Sequence, residues 1–188
     1  MSICQDWYMT YIIPERGGTF TMFTNTFTIA AATAILAAND FWYMHLYSKD
    51  EDFDKSHNLT GRYYNHLNYE ADTLMELAVE VGQPIFNPTD ALQIIPSWTP
   101  ERQDAYDYAT IVSNSKMILT QYITALRAMR SSTDRSDIQS RLDEMLADWN
   151  KEVNYRLERR TPGPSILNGF VNTGLDAALT ANLRGQSL

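Results

Sequence analysis

The chain has 188 residues and 44% hydrophobic content, which is enough to bury the core of one domain but leaves a second one crowded. Its formal net charge of −8 argues against specific nucleic-acid binding, because such binding depends on clustered Lys and Arg that neutralise phosphates. The single cysteine, Cys4, excludes an internal disulfide framework and a multi-cysteine metal site. We therefore expect one domain with extensions.

The first segment, residues 1–19, is predicted to be irregular, because Pro14 and the pair Gly17 and Gly18 interrupt any helix. We treat it as an extension that precedes a helical body at 20–162.

Residues 20–47 are apolar almost throughout. The part at 20–39 is uncharged and about twenty residues long, which only just reaches the length of a membrane span. Alanine is weakly hydrophobic and several threonines dilute the segment, so a buried helix in a helical assembly is the alternative interpretation. The residues expected to make the assembly or membrane contact are Ile29, Ala34, Ile35, Leu36, Phe41 and Trp42.

A second helix is predicted at 63–81, after a charged loop at 48–54, and Gly82 is a natural end for it. On this helix His66 and Glu70 are four residues apart, a spacing at which two side chains can share a metal. A carboxylate-rich metal site in a helical bundle needs repeated Glu-x-x-His motifs, and the chain contains none. The pair is therefore interpreted as a structural polar contact, and no metal or other cofactor is expected.

Four prolines between residues 83 and 100 exclude a regular helix across this stretch, which is a stiffened connector or a loop packed by its own apolar residues. Thr99, Pro100 and Glu101 then form a good start signal for the next helix, since they supply an N-cap, a first-turn proline and a first-turn acid.

Residues 101–160 are predicted to form a long antiparallel helical hairpin. Apolar residues recur at helical spacing on both sides of a polar break at 131–134, so each half has one buried face. Two such helices joined by a short turn hide these faces most simply against each other. The first stripe is Ile111, Val112, Ser115, Ile118, Leu119, Tyr122, Leu126 and Met129; the second is Ile138, Leu142, Met145, Leu146, Trp149, Val153 and Leu157.

The C-terminal segment, 163–188, is rich in small apolar residues and is predicted to be an extended tail. It can dock on the body of its own chain or pack against a neighbouring copy, and we favour the neighbour because the N-terminal segment is equally apolar. The residues expected to make this contact are Leu167, Phe170, Val171, Leu175 and Leu179.

The chain lacks the sequence motifs of common enzymes: it has no Gly-x-Ser-x-Gly, no phosphate-binding loop and no Gly-x-Gly-x-x-Gly. We therefore expect an all-α structural protein and no catalytic residues. A helical enzyme whose site carries no motif stays an alternative.

The order of the segments resembles the smallest internal virion (ejection) protein of short-tailed bacteriophages. The resemblance rests on the Ala-rich helix at 28–38, the end of the last long helix at 154–160, the Pro-Ser pair at 164–165 and the small-residue tail at 169–179. It is one of layout and covers both ends of the chain.

This resemblance implies a protein that assembles in several copies inside the capsid, contacts the portal or other core proteins, and leaves with the genome to help form a passage through the host envelope. The location would be the virion first and the host envelope after ejection. A second resemblance, of 142–149 to a helix found in head-to-tail connector proteins, gives the alternative of a connector at the portal vertex.

Overall fold

The computed structural model describes residues 25–49, 51–99 and 102–160, and these form an all-α body, as predicted. Its long helices are α1 (Thr26–Leu46), α2 (Phe53–Glu80), α4 (Tyr108–Ser131) and α5 (Ser136–Lys151). A 3-10 turn (Pro88–Asp90) and the short α3 (Ala91–Ile94) lie in the connector. After α5 the chain continues through a π-helix (Glu152–Leu157) into α6 (Glu158–Arg160). The segments predicted at 1–19 and 163–188 lie outside the described residues.

Helix α1 is the centre of the body. It packs along α2 and α4 and also contacts α3. Its alanines are buried on nearly every side, which is the pattern of a helix enclosed by others rather than one lying on a surface. Small side chains also let neighbouring helix axes come close. The enclosed alanines are Ala30, Ala31, Ala32, Ala34, Ala37 and Ala38.

The start of α1 is fixed by a capping box. Asn25 Oδ1 accepts a hydrogen bond from the Thr28 backbone N–H at 2.9 Å, and the Asn25 N–H donates to Thr28 Oγ1 at 3.1 Å. These contacts satisfy N–H groups that a helix leaves without partners in its first turn.

Helix α2 begins at Phe53, ten residues earlier than predicted, so the charged loop at 48–54 is shorter than expected. Its first turns are polar and show no helical spacing of apolar residues. Packing against α1 stabilises the helix there, although the local sequence does not predict it. The predicted end is confirmed: Gly82 follows with φ of 69°, a left-handed conformation that glycine adopts without steric cost.

The predicted helix start at Glu101 is wrong, because α4 begins at Tyr108. Residues 102–107 are not helical: the Tyr106 backbone exchanges hydrogen bonds of 3.0 Å with Tyr47 and Lys49. The actual cap is Asp107, whose carboxylate accepts the Thr110 N–H at 2.7 Å. This hydrogen bond lowers the pKa of Asp107.

Helices α4 and α5 run antiparallel around a turn at 132–135. Arg130 and Asp143 pair beside the turn, with Nε to Oδ1 at 2.5 Å. Farther along, Arg127 Nη2 donates to Asn150 Oδ1 at 3.0 Å, and Lys116 pairs with Glu158 at 2.7 Å. The buried side chains on α5 include Ile138, Leu142, Leu146 and Trp149, so its inner face is the predicted one.

Candidate functional site

The most distinctive feature of the interior is a set of buried carboxylates held by donors from different helices. Glu70 of α2 is only 3% exposed. Its Oε2 accepts hydrogen bonds from Trp149 Nε1 at 2.6 Å and from the Tyr122 hydroxyl at 2.9 Å, and His66 Nε2 lies 3.3 Å from Oε1. Glu70 therefore joins α2, α4 and α5 through one side chain.

Two side chains that contact Glu70, His66 and Tyr122, have raised pKa values. The hydrogen bond to Glu70 raises the pKa of His66, which favours the charged imidazolium beside the carboxylate. Burial, together with the nearby negative charge, raises the pKa of Tyr122 well above its ordinary value, so its hydroxyl keeps its proton and donates. A buried carboxylate is costly unless donors surround it, and here they do.

A second buried carboxylate, Glu152, lies in the π-helix and is 4% exposed. It accepts hydrogen bonds from the Tyr63 hydroxyl at 2.6 Å, Arg62 Nη2 at 2.7 Å and Arg156 Nη1 at 2.8 Å. Burial acts to raise the pKa of Glu152, but the hydrogen bonds from Tyr63 and Arg156 and the two arginine charges outweigh it, so this pKa lies below its ordinary value. Glu152 is thus an anion that ties α2 to the end of α5.

The third buried carboxylate is Asp40 of α1, which is 7% exposed. It accepts a hydrogen bond of 2.9 Å from Trp98 Nε1 and so fastens the connector to the central helix. Burial raises the pKa of Asp40 to about 6, although the Trp98 hydrogen bond and the charge of Arg102 act in the opposite direction. Asp40 is therefore less well compensated than Glu152, whose pKa is lowered.

Aromatic rings fill the space around the first two carboxylates. The Trp149 ring lies against Tyr63, His66 and Tyr122, at centroid distances of 5.9, 4.9 and 5.9 Å. Since each polar tip reaches a carboxylate while each ring packs in the core, these residues fix the helices in one register. The carboxylates are closed off and fully engaged, an arrangement suited to holding helices in place.

Sequence reasoning found only part of this cluster. The pair His66 and Glu70 was interpreted as a structural polar contact, and it is a contact in the folded chain. Within the described ranges, no three His, Cys, Asp or Glu side chains come together as a possible metal site. The roles of Tyr63, Trp149 and Glu152 were missed. The sequence feature that could have revealed the cluster is Glu70 itself, a charged residue on the apolar face of its helix.

Most residues of the predicted assembly segment are covered by their own chain. Ala34, Leu36 and Phe41 are buried and Ile29 and Ile35 are partly buried. Trp42 is 48% exposed. The residues predicted for the tail contact, Leu167, Phe170, Val171, Leu175 and Leu179, lie outside the described part of the chain.

Within residues 25–49, 51–99 and 102–160, no helix has the length and apolar character that a membrane crossing requires.

No protein-family model matches the chain, and no curated protein is significantly similar to it.

Proposed function

We propose that this protein is a structural component of a bacteriophage virion, an internal ejection or core protein that assembles in several copies and helps genome delivery through the host envelope. The observation that carries the proposal is the placement of the two segments that flank the described body, 1–24 and 161–188. They join the helical body at opposite ends, so one copy can contact neighbours in two directions.

One end of the body is marked by Asn25. Its Nδ2 donates to Gln83 Oε1 at 2.9 Å, just after α2 ends, and the next residue, Thr26, hydrogen-bonds Ser132 in the turn between α4 and α5. The segment 1–24 therefore joins where α2 and α4 end.

The other end is marked by Arg160, which lines a cavity with Lys55 and Tyr108 at the beginnings of α2 and α4. The segment that follows Arg160 thus joins at the far end of the body. Since α1 runs from one end to the other and has 21 residues, the two junctions are about 30 Å apart at 1.5 Å per residue.

A flanking segment at each end of the body, of which the C-terminal one is apolar in sequence, favours an assembly over an isolated monomer. A neighbouring copy, a portal protein or another core protein at each end would give these segments a binding partner. Repetition of such an end-to-end contact gives rings or stacks, which agrees with the multi-copy arrangement that the family resemblance implies.

The assembly is tested by size-exclusion chromatography with light scattering on the full chain at micromolar concentration. We expect an oligomer, and we expect a combined Leu167→Asp, Phe170→Asp and Leu175→Asp variant to dissociate it. Leu92→Asp is the matched control, because Leu92 is an exposed apolar residue of the body. A clean monomer of the unmodified chain would contradict the proposal.

The virion location is tested by a mass-spectrometric inventory of purified particles before and after genome release. An ejection protein is present at a fixed copy number and is lost when the particles empty. Retention in emptied particles would instead support the head-to-tail connector alternative, and absence from both samples would refute a structural virion role and favour the helical-enzyme alternative.

The envelope step is tested with liposomes that contain a trapped dye. Because α1 forms the core of the body, its entry into a bilayer requires the bundle to open. We therefore expect leakage to be slow, steeply dependent on protein concentration, and slower still in a variant whose bundle is stabilised. If the protein at high concentration causes no leakage and does not float with lipid, the membrane step is removed from the proposal.

A further inference from the structure

The connector between α2 and α4 lies along one side of α1 and is fastened there at few points. Its central part, residues 84–99, is called the strap below. We infer that the strap opens separately from the rest of the body and uncovers one face of α1. Such an opening is a property of the body itself and does not depend on the virion proposal.

Both ends of the strap are anchored by hydrogen bonds. Before it, Gln83 Oε1 accepts a hydrogen bond from Asn25 Nδ2 at 2.9 Å, beside the start of α1. After it, the Tyr106 backbone exchanges hydrogen bonds of 3.0 Å with Tyr47 and Lys49, beyond the end of α1. The strap can therefore lift in its middle without leaving the body.

Between these anchors the strap is held by few contacts. Among the described residues, its backbone hydrogen bonds stay within the strap, as from the Ile95 N–H to the Ala91 carbonyl. Its buried residues are Ala91 and Ile94, both in α3, a helix of 4 residues that has little stability of its own. A side-chain hydrogen bond of 2.9 Å from Trp98 Nε1 to Asp40 ties the strap to α1. Segments with few buried contacts open at a lower free energy than the core does.

The apolar contact beneath the strap is distinct from the main core. Ala91 and Ile94 form a small buried cluster with Ala32 and Leu36 of α1. Ala31, the preceding residue of α1, belongs instead to the large cluster that joins α1, α2, α4 and α5. Lifting the strap therefore uncovers Ala32 while Ala31 stays enclosed.

Opening also enlarges the uncharged surface of α1 that solvent can reach. Trp42 and Leu46 are already 48% and 54% exposed. Leu36, Asn39, Trp42 and Leu46 are spaced by three or four residues, so they are successive neighbours on the helix surface. The strap thus controls how much of this uncharged surface is accessible.

The test compares two neighbouring thiols on α1. In a Cys4→Ser background, Ala32→Cys places a thiol under the strap and Ala31→Cys places one in the main core; the native side chains are 0% and 1% exposed. Both are labelled with N-ethylmaleimide under conditions where reclosing is faster than the reaction, so each rate reports the population of an open form. We expect Ala32→Cys to react at least about tenfold faster than Ala31→Cys. Equal rates would mean that only unfolding of the whole body exposes either thiol, and would overturn the inference.

A second substitution separates opening of the strap from unfolding of the body. Leu142→Ala empties a fully buried site of α5, outside the cluster beneath the strap. It destabilises the closed and the strap-open forms equally, so labelling of Ala32→Cys should stay within about twofold while labelling of Ala31→Cys rises about 30-fold or more. Ile94→Ala should speed labelling of Ala32→Cys about tenfold. The matched control is Leu92→Ala, at an exposed leucine of the same helix, which should change that rate less than about twofold.

The unmodified chain gives a second readout that needs no new thiol. The Trp98 indole N–H is bonded to Asp40 under the strap, and the Trp149 indole N–H is bonded to Glu70 in the main core at 2.6 Å. Hydrogen exchange followed by NMR should be at least about tenfold faster for the Trp98 indole, and Leu142→Ala should accelerate exchange at Trp149 alone. If the two indoles exchange at the same rate, or respond equally to Leu142→Ala, the strap does not open on its own.

Discussion

Asp40 allows the sharpest test of how this body is held together. Substitution Asp40→Asn keeps the size of the side chain and an oxygen that can accept the hydrogen bond from Trp98 Nε1, but removes the buried charge. We expect Asp40→Asn to be more stable than the unmodified protein at neutral pH, although most substitutions at buried sites destabilise.

The magnitude follows from the pKa. Burial raises the pKa of Asp40 from 3.8 to about 6, and one unit corresponds to about 1.4 kcal/mol, so the buried charge costs about 3 kcal/mol once pH is well above 6. The folded pKa is higher than the unfolded one. The contribution of Asp40 is therefore most favourable below about pH 4 and is lost as pH rises through about 6.

The assay is urea unfolding followed by far-UV circular dichroism at several values between about pH 4 and pH 7.5, with the stability difference between variant and unmodified protein as the readout. This difference should be near zero at the acid end and grow to about 3 kcal/mol at neutral pH. Taking the difference removes the contribution of other carboxylates that titrate in the same range.

Asp143→Asn is the matched control, because Arg130 lowers the pKa of Asp143, an exposed carboxylate. This substitution should be destabilising at neutral pH, which is the opposite sign. A stability difference for Asp40→Asn that does not change with pH, or a destabilised variant at neutral pH, would refute the reasoning about Asp40.

Three further outcomes are expected from substitutions in the body. Tyr122→Phe removes one donor from the buried Glu70 and should lower the free energy of unfolding by about 1 to 3 kcal/mol, with a smaller loss when Glu70→Gln is already present, as measured by a double-mutant cycle in urea. Leu142→Ala empties a fully buried site and should cost about 2 to 5 kcal/mol in the same assay. Gly61→Ala should not give the stabilisation of about 1 kcal/mol usual for a helix interior, because the new methyl group meets the His45 ring at 3.1 Å; thermal unfolding measures this.

Each of these has a control or a contradicting result. Equal losses for Tyr122→Phe with and without Glu70→Gln would mean that the two residues are not coupled. Leu92→Ala, at an exposed leucine, should stay within about 0.5 kcal/mol of the unmodified protein. A clear gain in stability for Gly61→Ala would show that the His45 ring moves aside, although it is stacked at 3.5 Å on His57.

The helical class and several helix faces follow from the sequence, because the spacing of apolar residues is a local property. The stripes through Ile111 and Ile138 predict the inner faces of α4 and α5, and Gly82 predicts the end of α2. Each of these signals lies within a few residues of the feature it determines, so no knowledge of distant contacts is needed.

The start of α4 and the extent of α2 depend on contacts with other parts of the chain. The Tyr106 backbone pairs with Tyr47 and Lys49 and keeps residues 102–107 out of the helix, although the local start signal lies earlier. The first turns of α2 lack an apolar period and are helical where they pack against α1. Local preferences are small enough for such packing to override them.

The candidate site was decided almost entirely by tertiary structure. The sequence marks Glu70 as an unusual charge on an apolar face, but its partners Tyr122 and Trp149 are 52 and 79 residues away. Glu152, at the start of the π-helix, is buried and bonded to Tyr63 and Arg62, and Asp40 is buried and bonded to Trp98. Which charges are enclosed, and which donors reach them, depends on how the helices meet, and periodicity along a single helix carries no information about that.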